Sequence, residues 1–127
     1  MPLYHVWFAT KRRRWLLEGD VEDTVKTLVG TIASEKGIDV LEFETCVDHM
    51  HILLRAANRP ELSRAMNYIK GLSSKRLFEQ IPELKLDIGM DNFWQRRYGW
   101  KAVPEGARKS VAQYIRTQHE RLESYVR

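Results

Sequence analysis

The sequence predicts an α+β fold. An antiparallel sheet carries helices packed on one face, connected in the ferredoxin-like split βαβ topology and closed by a C-terminal helix that carries a tyrosine. Strand-length runs of apolar and aromatic residues occur at 3–10, 38–46 and 50–55. Apolar residues recur at helical spacing over 21–36, onward from Pro60 and over about 105–125. The two kinds of segment follow one another as β-α-β-β-α-(β)-α, and 127 residues make one domain, 1–127.

Leu3 to Thr10 is rich in aromatic and β-branched types and reads as a buried strand. In the first helix Val21, Val25, Leu28, Val29 and Ile32 form the apolar stripe, with Asp20 as N-cap and Gly37 as terminator. Segments 38–46 and 50–55, separated by Val47, Asp48 and His49, form a hairpin or a sharply bent strand, the second being central. Pro60 suits the first turn of a helix whose stripe is Leu62, Ala65, Met66, Ile69 and Leu72, ending before Pro82. Residues 84–104 have no clear period, apart from a short strand around 98–103. The last helix has the stripe Val111, Ile115, Leu122 and Val126.

Hydrophobic residues make up 43% and charged residues 30% of the chain, the composition of a water-soluble globule. Lys and Arg outnumber Asp and Glu by 21 to 17, a net charge of +4. The cations cluster at Lys11-Arg12-Arg13-Arg14, Lys75-Arg76 and Arg96-Arg97, which points to a basic face for a polyanion. A single cysteine, Cys46, excludes an internal disulfide. No signal peptide or membrane-length apolar run is visible, so the expected location is cytoplasmic and no membrane partner is expected.

Asp48-His49-Met50-His51-Ile52-Leu53-Leu54 is the most informative segment. Alternate residues of a strand share a face. His49 and His51 then point together, with Cα atoms roughly 6.5–7 Å apart, and their rings can lean onto one metal ion. Cys46 has the opposite parity on an unbroken strand and is not expected to be a ligand. A third ligand has to come from elsewhere. Tyr114 and Gln118, four residues apart, share one helix face. A glutamine carbonyl suits a hard ion such as Mg²⁺ or Mn²⁺, and a neighbouring tyrosine is a candidate nucleophile. His119, about 100° round the helix from Gln118, is a lesser ligand candidate.

Together these residues resemble the single-tyrosine HUH transposases of the insertion-sequence 200/605 group. The resemblance spans nearly the whole chain. Tyr4-His5-Val6-Trp7-Phe8-Ala9-Thr10-Lys11 is similar to the family's first strand, and Cys46 to Leu53 to its metal strand. Tyr68 to Ser74 resembles its Lys-Gly-x-Ser-Ser helix, and Phe93 to Tyr98 its Trp-x-x-x-Tyr segment. The run from Gly99 to Gly106 departs from the pattern. The resemblance implies His49, His51 and Gln118 as ligands of a divalent metal, Mg or Mn, and Tyr114 as the residue that attacks a DNA phosphate. It implies a DNA transposase and single-strand endonuclease that cleaves and rejoins single-stranded DNA at hairpin-marked ends through a 5′-phosphotyrosine. It also implies a homodimer in which the tyrosine helix can act in trans. The candidate DNA-binding residues are Lys11, Arg12, Arg13, Arg14, Lys70, Ser73, Ser74, Lys75, Arg76, Arg96, Arg97 and Lys101, with Trp94, Tyr98 and Trp100 as candidate base-stacking rings. A host-adopted hairpin-nicking relative and a non-catalytic nucleic-acid-binding module are the alternatives.

Overall fold

The structure, a computed structural model, describes residues 1–88 and 92–118. Its four-stranded sheet contains β1 (Leu3–Ala9), β2 (Asp39–Cys46), β3 (His49–Arg55) and β4 (Gly99–Val103) in the order β2-β3-β1-β4. Every pairing is antiparallel. Helix α1 (Gly19–Lys36) joins β1 to β2, and α2 (Arg59–Gln80) with the short α3 (Glu83–Ile88) lies between β3 and β4. This is the predicted split βαβ topology. After β4, a 3₁₀ turn (Glu105–Ala107) leads into α4 (Arg108–Arg116).

The helix limits have local causes. Gly37 ends α1 in a left-handed conformation, φ 65°, and its N–H returns to the carbonyls of Ala33 and Ser34. Residue Glu18, rather than Asp20, occupies the N-cap position, without a side-chain hydrogen bond. Asn58 caps α2 by accepting from the N–H of Glu61 at 3.0 Å.

The sheet is covered on both sides. Tyr4, Val6, Phe8, Met50, Ile52 and Leu54 pack against Val25, Leu28, Val29 and Ile32 of α1 and Leu62, Met66 and Ile69 of α2. The opposite face buries Leu3, Leu53 and Val103 beneath Ile115 of α4. Helices on one face therefore describes α1 and α2, whereas α4 lies across the sheet from them. A salt bridge from Arg116 to Glu42 on β2, 2.9 Å, also joins α4 to the sheet.

Only Val47 and Asp48 separate β2 from β3. Val47 takes a φ of 35°, unusual for a β-branched residue, to close the turn. The tight reversal sets Cys46 opposite His49 and Glu44 opposite His51. Cys46 therefore shares the histidines' face. The parity count along an unbroken strand fails because the chain turns back between the two residues.

Residues 93–97, obscure by periodicity, are held by α2. Ser74 Oγ accepts from the N–H of Phe93 at 2.9 Å, and Ser73 Oγ accepts from the indole N–H of Trp94 at 2.9 Å. Lys70 Nζ donates to the carbonyls of Gln95, Arg96 and Arg97 at 2.6, 3.0 and 3.1 Å. Burial lowers the Lys70 amine to about 8. The three carbonyls match the three N–H bonds of the ammonium form, which the lowered value still leaves protonated near pH 7. Removing this side chain strands three carbonyls. Lys70→Met is expected to lower stability by about 3 kcal/mol in urea titration. An unchanged unfolding free energy would show that these three hydrogen bonds add nothing to stability.

Candidate active site

The histidines lie on the face of the sheet that α4 partly covers. Register pairs Ala9 with His49, Trp7 with His51 and Trp7 with Gly99, so these side chains occupy one patch. His49 and His51 lie with ring centroids 5.0 Å apart, as their shared parity requires. Each ring is engaged at Nδ1. His49 Nδ1 donates to Asp48 Oδ1 at 2.7 Å, because a carboxylate can only accept. His51 Nδ1 lies 2.8 Å from His5 Nε2 of β1. Nε2 is thus the remaining nitrogen of each ring. Asp48 is itself paired with Arg13 at 3.4 Å, which links the turn to the basic segment after β1.

Burial, then the nearby His49 and His5 rings, lowers His51 from 6.5 to about 3. His5 is lowered by burial and then by the Lys101 charge. Both rings are neutral near pH 7, the form that can coordinate a metal. Cys46 faces the same way, but burial and then the charges of Asp48, Glu22 and Glu44 raise its thiol above the ordinary value. A protonated thiol is a weaker ligand than a thiolate, but parity no longer separates Cys46 from the histidines.

Tyr114, on α4, is set edge-on to His51, centroids 5.8 Å apart at 90°, and to His5, 5.9 Å apart at 73°. One chain therefore brings the tyrosine and the histidines together. Gln118 follows α4 and is buried, with its amide nitrogen donating to the Tyr114 carbonyl at 2.9 Å. Among the described residues no hydrogen bond reaches its side-chain oxygen. Among the described residues no hydrogen bond joins Gln118 to either histidine, and no group of three His, Cys, Asp or Glu side chains is placed to hold a metal ion. His119 lies outside the described residues.

Two clefts meet at Trp7 and His51. The first is lined by Arg13, Gln95, Arg97, Tyr98 and His49 among others, and the second by His5, Lys101, Ser110 and Tyr114. Lys101 stands beside His5 in the β1–β4 register. Arg13, Arg97 and Lys101 are thus the predicted cations that border the histidines. Lys11 to Arg13 form a 3₁₀ turn, with Arg12 and Arg13 in left-handed conformations. Arg12, Arg14 and Arg96 are exposed.

The other candidates sit elsewhere. Lys70, Ser73 and Ser74 are buried and bonded to the 93–97 segment, not presented to a ligand. Lys75 is exposed and Arg76 is paired with Glu35, both on α2, across the sheet from the histidines. Of the candidate stacking rings, Trp94 is in the core, and Trp100 packs with Tyr4 beneath the Arg59 guanidinium, 3.8 Å from its ring centroid. Sequence reasoning missed Trp7 and His5. Composition makes Trp7 a buried strand residue, yet it is 37% exposed. Its indole lies over Gly99 so closely that a Cβ there would come within 2.2 Å of the ring. Gly99, the start of the unfamiliar run, is therefore required by the tryptophan opposite. The available signal was the odd-numbered parity of Leu3, His5 and Trp7, which places them on one face once β1 is paired with the histidine strand.

The sequence family described as IS200-like transposase matches residues 2–118. The chain is 32% identical over 118 residues to the ISDra2 transposase TnpA of Deinococcus radiodurans, covering 93% of this chain and 84% of that protein. It is 35% identical over 117 residues to the transposase for insertion sequence element IS200 of Salmonella typhimurium, covering 92% of this chain and 76% of that one. Among solved structures, a crystal structure assigned as a transposase of D. radiodurans R1 superposes with a TM-score of 0.73 at 32% identity, over 94% of this chain and 92% of that one. A REP-associated tyrosine transposase bound to a REP hairpin shares the fold, with a TM-score of 0.62 at 16% identity over 91% of this chain and 65% of that one. The family match spans residues 2–118 and both transposases exceed 30% identity over most of their length, so the chain belongs to the IS200-like transposase family.

Proposed function

We propose that this transposase is a single-tyrosine HUH endonuclease that cuts and rejoins single-stranded DNA, with Tyr114 as nucleophile and His49 and His51 as metal ligands. The observation that carries the reading is the packing of Tyr114 against His51, 5.8 Å between rings, within one chain. That contact favours cleavage in cis over a tyrosine lent by the second subunit of a homodimer.

The histidine pair fits a divalent metal such as Mg²⁺ or Mn²⁺. Both rings share a face, and both have Nδ1 occupied. The Gln118 side-chain oxygen is the candidate third ligand. When bound, the ion would polarise the scissile phosphate and stabilise the charge that develops on it. Free tyrosine ionises near pH 10, so such help is what makes a phenol an adequate nucleophile at neutral pH. Tyr114 Oη attacks phosphorus and loses its proton to solvent. The bond from phosphorus to the 3′ oxygen breaks, and that oxygen leaves as a 3′-hydroxyl. The 5′ end stays on the tyrosine, ready for the reverse reaction on another 3′-hydroxyl. No nucleotide triphosphate is needed, because the phosphodiester energy is retained.

The two clefts, with Arg13 and Arg97 on one side of the exposed Trp7 ring and Lys101 on the other, support a path for the DNA strand over that ring. A base stacked on Trp7 would contribute about 1–3 kcal/mol. The hairpin in the REP-associated relative's complex supports a hairpin-marked substrate here.

A covalent protein–DNA adduct is expected on a denaturing gel after mixing the protein with hairpin-bearing single-stranded DNA and Mn²⁺. Tyr114→Phe should form none, and an adduct surviving in that variant would move the nucleophile elsewhere. His49→Ala and His51→Ala should each slow cleavage by about 100-fold or more while hairpin binding stays within a few-fold of wild type. Equal loss of binding and cleavage would make the pair structural. Arg13→Ala, Arg97→Ala and Lys101→Ala should each reduce the slope of log affinity against log salt by about 0.7, and unchanged slopes would take the strand off this face.

A further inference from the structure

We infer that His5 is a positioning residue of the site: its Nε2 accepts the Nδ1–H of His51 and so keeps Nε2 of His51 as the free ligand nitrogen. The inference rests on the metal reading proposed above, and extends it to a residue on a different strand.

The two histidines are supported in unlike ways. At His49 the tautomer is dictated by its partner, since the Asp48 carboxylate only accepts and Nδ1 must carry the proton. At His51 the partner is another imidazole, 2.8 Å away, and the proton between them can belong to either ring. If His5 Nε2 carries it, the neutral His51 bears its own proton on Nε2 and cannot coordinate there. If His51 Nδ1 carries it, His5 holds its own proton on Nδ1 and His51 Nε2 is bare. Only the second arrangement gives both ligand histidines the same free nitrogen. A ligating histidine is normally oriented through its other nitrogen in this way, and loss of that partner weakens metal binding by about 10–100-fold.

Packing holds His5 in place for this task. Its ring centroid lies 5.1 Å from that of Trp7, 5.1 Å from that of His51 and 5.9 Å from that of Tyr114. The same imidazole therefore contacts the proposed nucleophile and a proposed ligand. Its position on β1, opposite Leu53 and one step along from the Trp7–His51 pair, follows from the strand register. A phenylalanine can fill the same space and keep the ring contacts while offering no acceptor. A glutamine offers a side-chain oxygen at a similar reach.

Mn²⁺ binding to the folded wild type, His5→Phe and His5→Gln, measured by calorimetry, tests the inference. His5→Phe is expected to bind about 10–100-fold more weakly, and His5→Gln to recover affinity to within about threefold of wild type. In the metal-free wild type, long-range ¹H–¹⁵N correlations should place the His51 proton on Nδ1. Folding of each variant is checked by thermal unfolding, and the proton assignment in the wild type needs no variant at all. Unchanged Mn²⁺ affinity in His5→Phe, or a His51 proton on Nε2 in the wild type, would overturn the role of His5 alone. A wild type that does not bind Mn²⁺ would overturn the metal reading and this inference together.

Discussion

β3 is hydrogen-bonded along both edges, to β1 and to β2. A slip of one residue in either ladder would turn Met50, Ile52 and Leu54 out of the core and put His49 and His51 into it. Burying three large apolar side chains is worth roughly 1.5–3 kcal/mol each, far more than one ladder hydrogen bond. The helical core thus holds the register, and the register sets both histidines on the opposite face. The site is a by-product of the pleat: whatever stabilises the α1–α2 layer also aims the imidazoles.

α4 divides that second face. Ile115 caps the end marked by Leu3, Leu53 and Val103, and Tyr114, one residue earlier, falls beside His5 and His51. Successive helical residues point about 100° apart, so anchoring one of them in the core swings its neighbour to the boundary of the covered region. The tyrosine can therefore be partly exposed and still be fixed in position. On the far wall, the 93–97 segment is fastened to α2 by a buried ammonium and one buried hydroxyl on its backbone and a second hydroxyl on the Trp94 indole. A segment with no regular ladder of its own needs such partners for its backbone groups. It supplies Gln95 and Arg97 to the first cleft.

The electrostatics separate into an interior and a rim. His5 and His51 are neutral near pH 7 because they are poorly solvated, while His49 is hydrogen-bonded to the Asp48 carboxylate. Cations border the clefts at Arg13, Arg97 and Lys101. In the proposed function, this arrangement would draw in a phosphate backbone while the centre keeps nitrogen lone pairs available.

Much was legible in advance because it is local. Hydrophobic period separates strands from helices, Gly37 and Pro60 mark helix limits, and the spacing of His49 and His51 makes them share a face in any strand. Those features depend on a few neighbouring residues, and the order of elements then restricts the topology. The rest depends on partners distant in the chain. Lys70, Ser73 and Ser74 look like a basic, polar helix surface, and only the packing of 93–97 against them makes them interior. Cys46 changes face because a two-residue turn reverses the strand. Trp7 and Gly99 explain each other only when β1 and β4 lie side by side. His5 reads as one more residue of a buried strand until β1 lies beside β3 and its ring meets that of His51. Period and caps are properties of a segment, whereas burial, hydrogen-bond partner and free nitrogen are properties of a pair, and pairs form only when the chain is folded.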